Sequence, residues 1–256
     1  MKAASPPPRY VETRLGSRFS PGGIALLVLF AATYLLSLVP PVGRWLLSYL
    51  VLRPADALGW RPYQLVAGPA LMTSIFALLF VGLLLWSIGS AVEQRSGTRR
   101  FLLWSASASV VSALAAALAG RFWPAMAYQP VVFDGQPIFM VVLMAFAHFY
   151  GSMPVRMWGI GEPVSGRGLS YFFVGLGLFA DVLRGQWLEL VAQAAAVGWM
   201  VLVLRDGGIS PWQALRRRFR KRSSRGGLEV LSGGRAGRPY AGEPAKPAKK
   251  EPRWVN

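Results

Sequence analysis

Residues 65–88 read LVAGPALMTSIFALLFVGLLLWSI, twenty-four positions without one charged side chain. Roughly 20 apolar residues suffice for a helix to cross the ~30 Å hydrocarbon core of a bilayer, and soluble domains seldom collect such runs. Five further runs lie at 22–39, 101–119, 137–150, 169–183 and 187–204. The pattern predicts an all-α membrane protein with a bundle of six transmembrane helices over residues 21–204. A cytoplasmic tail (1–20) precedes it. A basic amphipathic juxtamembrane segment (205–225) and a disordered tail (226–256) follow.

The fourth and fifth runs are too short for a perpendicular crossing. Backbone polar groups in lipid must be paired within the protein, so short spans need neighbouring helices around them, which predicts a compact bundle. Between the first two runs, residues 45–52 are too few to span but are rich in Trp, Tyr and Leu, as expected of a partly embedded first loop. The first run follows a long basic leader and no small-residue cleavage pattern comes after it. It therefore reads as an uncleaved signal anchor.

The formal net charge of +17 would suit a nucleic-acid partner, but its placement argues against one. The basic residues sit in the tails and connections flanking the runs. With both termini on one side, 23 of the 28 Lys and Arg fall on that side, among them Arg95, Arg99, Arg100, Arg156 and Arg167. By the positive-inside rule that side is the cytoplasm. Arg far outnumbers Lys, and Ala, Gly and Pro are abundant. This composition fits a GC-rich bacterial genome and hence a bacterial cytoplasmic (inner) membrane. The chain has no cysteine, which excludes disulfides, thiolate catalysis and cysteine-ligated metals. No cofactor or metal is expected.

The segment Tyr63-Gln64-Leu65 through Gly89-Ser90-Ala91-Val92-Glu93 and Gly97 to Phe101 resembles the rhomboid family of intramembrane serine proteases. In that family a His-x-x-x-Asn turn lies within the second helix, followed by Gly-x-x-hydrophobic-Glu-x-x-x-Gly. Gly89, Val92, Glu93 and Gly97 match the second pattern. The resemblance implies a six-helix core with a partly embedded first loop, over residues 24–204. Carried over residue by residue, it leaves no catalytic machinery. The oxyanion-binding His and Asn fall on Ala77 and Val81, the nucleophilic Ser on Gly135, and the general-base His on Gln193. A serine needs a base within reach and a developing oxyanion needs donors. The one histidine, His148, lies at the opposite end of the fourth run and reads as a helix-terminal residue.

Polar residues within the spans have structural readings. Gln193, set among alanines, would hydrogen-bond across helices, and the Ser and Ala face of the third run would pack closely against a neighbour. Asp181 lies three residues before Arg184, which suggests a local ion pair. Trp60-Arg61 resembles a pair in the first loop of some rhomboids and also suits interfacial anchoring. Asp134, beside Gly135, lies where a water-accessible cavity would survive without chemistry, and Gln136 and Gln193 are further polar residues of the spans. With Trp60 and Arg61 they are the candidate contacts for a client.

The reading is a rhomboid-like pseudoprotease that binds other transmembrane proteins for recognition, stabilisation or assembly. One alternative is an active rhomboid protease with displaced catalytic residues. A Ser-Lys dyad does not serve it, because Lys2, Lys221, Lys246, Lys249 and Lys250 all lie in the tails. A second alternative is a transporter or channel subunit, which calls for paired charges or broken helices at the midplane.

After the last run, Ser210-Pro211-Trp212 starts like a capped helix and continues through Arg216, Arg217, Arg218, Arg220, Lys221 and Arg222, a basic face suited equally to anionic membrane lipid and to a solvated run that sets topology. In a peptide spanning 205–256, Arg216, Arg217 and Arg218 to Gln should weaken binding to phosphatidylglycerol vesicles by on the order of a hundredfold, at about 1 kcal/mol per Arg. Unchanged co-sedimentation would remove the lipid role.

Overall fold

The computed structural model describes residues 19–155 and 164–205, which belong to one compact unit. The juxtamembrane segment with Arg216, Arg217, Arg218, Arg220, Lys221 and Arg222, and the tail beyond it, lie outside the described residues. Ten helices follow in order: α1 (Pro21–Leu38), α2 (Pro40–Tyr49), α3 (Pro54–Ala57), α4 (Gln64–Ala67), α5 (Ile75–Leu84), α6 (Ser90–Ser96), α7 (Thr98–Phe122), α8 (Gln136–Tyr150), α9 (Gly166–Arg184) and α10 (Trp187–Arg205). Two short strands, β1 (Pro154–Val155) and β2 (Val164–Ser165), pair antiparallel between α8 and α9.

Five helical stretches are long and apolar enough to cross a membrane: α1, the continuous stretch Ile75–Ser96, α7, α9 and α10. The predicted sixth, α8, has only 15 residues, about 22 Å of helix. It is also the most enclosed, since every residue from Pro137 to Ala147 except Phe139 is buried. A helix that is apolar and buried on all sides is the centre of a bundle. Its two ends are tied to the second stretch and to the residues just ahead of it. Before α8, Asp134 Oδ1 accepts from the Thr73 backbone N–H at 2.6 Å, and at its end Tyr150 Oη donates to the Ala91 carbonyl at 3.0 Å.

Some expected boundaries shift. The run 65–88 does not form one helix. Pro69 sits in a 3-10 turn (Gly68–Ala70) and the membrane stretch starts at Ile75, where Ser74 Oγ accepts from the Ala77 N–H. The fifth helix is longer than its apolar run, because Ser165 caps α9 through Gly168 N–H and adds a first turn from Gly166. Ser20, placed by sequence in the tail, is buried in the bundle.

Small residues let helices approach. On α7, Ala108, Ser112, Ala113, Ala116 and Ala117 are buried, and Ala192 and Ala196 of α10 are buried with them. Trp199 Nε1 of α10 donates to Ser107 Oγ at 3.0 Å. At Gly120 a Cβ would overlap the Pro54 ring, so α7 meets the first loop with no room for a methyl group. That loop is held by Gln64, fully buried, whose amide donates to the Tyr49 carbonyl at 3.0 Å and accepts from Arg53 N–H at 3.2 Å. Val131 N–H donates to the Leu52 carbonyl at 2.9 Å and fastens the loop to the α7–α8 connection.

Glu93 fastens the other end of the bundle. Its carboxylate is 2% exposed and accepts from Ser20 Oγ, Gly22 N–H (2.9 Å), Gly23 N–H (3.0 Å) and Thr98 Oγ1 (2.6 Å). It thereby caps the free N–H groups that open α1, where the helix dipole favours a negative charge. Glu93→Ala leaves those donors buried and unpaired and should cost about 3 kcal/mol or more. Glu93→Gln, which keeps one carbonyl acceptor, should cost less. Thermal unfolding in detergent ranks the two, and equal stability of both with the parent would remove Glu93 from this role.

Candidate functional site

The residues aligned with catalytic groups gather at the start of α8. Asp134 and Gly135 both have positive φ (44° and 76°), and Gly135 is the N-cap residue. Asp tolerates the left-handed region because its side chain finds a backbone partner, and here that partner is Thr73. A Cβ on Gly135 would lie 3.1 Å from both Met72 Cε and Val81 Cγ2, and 3.6 Å from Phe30 Cε2. A serine at this position would therefore be strained by φ and crowded by its neighbours. Val81, aligned with an oxyanion donor, forms part of that apolar packing, and Ala77 lies one turn before it against the same core.

Gln136 and Gln193 are brought together. Gln193 is 2% exposed, and its Nε2 donates to Gln136 Oε1 at 2.8 Å and to Asp181 Oδ2 at 2.5 Å. One amide group thus ties the start of α8 to α9 and α10. Its Oε1 is buried and has no partner, facing Gly177, where a Cβ would come within 3.3 Å. The expected ion pair between Asp181 and Arg184 does not form. Asp181 is 1% exposed and turns toward Gln193, while the ion pair found among the described residues joins Arg61 and Asp56 at 3.8 Å. Helical spacing put Arg184 within reach of Asp181, but the buried amide on the next helix offers a donor without moving a second charge out of water.

Trp60 and Arg61 make their contacts inside the first loop. The Arg61 guanidinium stacks 3.9 Å from the Trp60 ring and 5.1 Å from the Tyr49 ring, and donates to the Ser48 carbonyl at 3.2 Å. Trp60 is 71% exposed, as expected of an interfacial anchor. His148 is exposed at the far end of α8 and packs edge-on to Phe149 at 5.2 Å. Among the described residues no three His, Cys, Asp or Glu side chains converge as metal ligands.

Sequence reasoning passed over Thr73, Ser20 and Gln64. The partners of Thr73 and Ser20 lie 61 and 73 positions away, and no local pattern announces such pairs. Gln64 carried a signal, as a lone polar residue between Pro62 and the apolar run.

No family model matches the chain, and no curated protein matches it.

Gln193→Leu removes the donor from both Gln136 and Asp181 and should cost about 1–2 kcal/mol, the upper range for cross-helix hydrogen bonds in membranes. In a double-mutant cycle, Asp181→Ala should cost less in the Gln193→Leu background than in the parent. Additive losses would show that the two side chains act independently.

Proposed function

We propose that the chain is a catalytically inactive rhomboid-like protein of a bacterial cytoplasmic membrane, with both termini in the cytoplasm, which binds other membrane proteins. In this reading α8 is also a crossing, the fourth in chain order, short because its neighbours shield it. The observation that carries the proposal is the hydrogen bond between Gln193 and Gln136 beside a closely packed Gly135. Where a hydrolase of this architecture needs a hydroxyl and a base, the chain has a glycine at positive φ, where a side chain would be strained and crowded, and an amide already engaged. Gly89, Glu93 and Gly97 give the second supporting line. Glu93 is buried among four donors and Gly97 has φ of +84°, so both have structural uses that do not require catalysis.

Client binding is assigned to apolar stripes on α5 and α9. Phe76, Leu79, Phe80 and Leu83 share one exposed face of α5, and Phe172, Leu176, Phe179 and Leu183 share one of α9. The resemblance implies relatives that admit substrate helices through a lateral opening, and exposed apolar faces of this kind suit contact with a client helix. Lipid also covers such faces, so the test must distinguish a protein from lipid.

The purified chain, reconstituted beside an active rhomboid, should neither cleave transmembrane model substrates nor be labelled by a fluorophosphonate. Gly135→Ser with Gln193→His should remain unlabelled, because Ala77 and Val81 supply no oxyanion donors. Photocrosslinkers at Phe80 and Phe172 should capture discrete membrane proteins in cells, and one at Leu118 on α7 should not. Cleavage with a labelled serine in the parent chain would restore the protease reading. Equal crosslinking at all three positions would remove the client site.

A further inference from the structure

The geometry points to a binding site for the phosphate headgroup of an anionic phospholipid between α8, α9 and α10, at the end of the bundle where Arg205 closes α10. A cavity of about 250 Å3 opens there. That is the liquid volume of about eight waters, enough for a phosphodiester headgroup and too small for a whole lipid. Arg167, Arg205, His148 and Tyr171 line it, and each is exposed. Among the described residues no acidic side chain lines the cavity.

Helix ends alone do not account for these cations. His148 and Arg205 lie in the last turns of α8 and α10, where the carbonyl ends favour positive charge, while Arg167 lies in the first turn of α9. Each helix end counts as about half an elementary charge. Two C-termini and one N-terminus set against two guanidinium groups leave about one and a half positive charges unbalanced. Arginine forks match phosphate oxygens, and the Tyr171 hydroxyl supplies a further donor.

The remaining walls select a lipid over a soluble phosphate. Met144, Val201 and Leu204 line the cavity on its apolar side. Val201 is exposed, and Leu202, next to it on α10, is exposed as well. A headgroup held by Arg167 and Arg205 would leave its acyl chains along that surface, as in basic pockets between membrane helices that hold anionic lipids. The proposal rests on the membrane-spanning fold and not on the rhomboid reading.

The test uses the full chain carrying R216Q, R217Q and R218Q, which removes tail charges from the readout. In detergent, native mass spectrometry follows titration with phosphatidylglycerol and with phosphatidylcholine of the same acyl chains. Phosphatidylglycerol should be retained preferentially. Arg167→Gln with Arg205→Gln should weaken that retention by roughly tenfold or more and leave phosphatidylcholine unchanged. Arg99→Gln with Arg100→Gln, which removes two exposed charges outside the cavity, should leave it intact. Equal retention of the two lipids, or an equal loss in the Arg99 and Arg100 variant, would overturn the proposal. So would binding of millimolar inorganic phosphate that depends on Arg167 and Arg205 without lipid retention, which would assign the cavity to a soluble phosphate. The single variants Arg167→Gln and Arg205→Gln, each with an intermediate loss expected, read the same point if the double variant fails to fold.

Discussion

A carboxylate buried at the end of a membrane helix is tolerated only where donors surround it, and Glu93 sets that condition for the whole bundle. Its four donors come from the start of α1 and the start of α7, so one side chain fixes three segments at once. Two glycines follow from this arrangement. A Cβ on Gly22 would lie 2.8 Å from Glu93 Oε2, so the close approach of α1 demands glycine there. Gly97 turns the chain with a positive φ, and α7 then begins with Thr98 placed to donate back to Glu93. The π-helical turn Leu85–Gly89 belongs to the same device. One extra residue in a turn rotates every later side chain by about 100°, which directs Glu93 inward toward α1.

The central helix is the second constraint and it depends on the first. With 15 residues, α8 is shorter than the bilayer core is thick, and its enclosure by the other helices replaces contact with lipid. Its ends are pinned by Asp134 to Thr73, just ahead of the stretch that carries Glu93, and by Tyr150 to Ala91 on that stretch. Displacing that stretch would therefore move α8, and with it Gly135 and Gln136. The polar cluster at Gln193 and the packing around Gly135 are thus held from the far end of the bundle.

Sequence alone made the membrane class legible, because charge-free runs of this length have one common explanation. It also located Gln193 as a cross-helix amide and the small-residue face of α7, since both depend on residue type within one helix. It misjudged features that depend on the partner. The run at 65–88 is uniform in hydropathy, so the break at Pro69 and the start at Ile75 were hidden behind apolar residues on both sides. Helical spacing matches Asp181 with Arg184, whereas its partner sits on the next helix. For Glu93 the motif marks a carboxylate, but its donors at Ser20, Gly22 and Gly23 are 73, 71 and 70 residues away. Within the candidate site, residue identities were readable and their hydrogen bonds were not.

In the proposed reading, the arrangement at Gln193 explains how a bundle without a dyad keeps its shape. A catalytic serine and histidine require an approach for substrate and water at the start of the fourth membrane run, and such space weakens packing. Here that region is filled by Met72, Val81 and Phe30 around Gly135, and a single amide bridges α8, α9 and α10. In the same reading, stability is gained at the positions where an active rhomboid would give it up for function. In the proposed reading, what remains available to a partner is the outside of the bundle. Recognition on the α5 and α9 faces uses side chains that the interior does not need, so a client site there can change without disturbing the Glu93 and Gln193 networks.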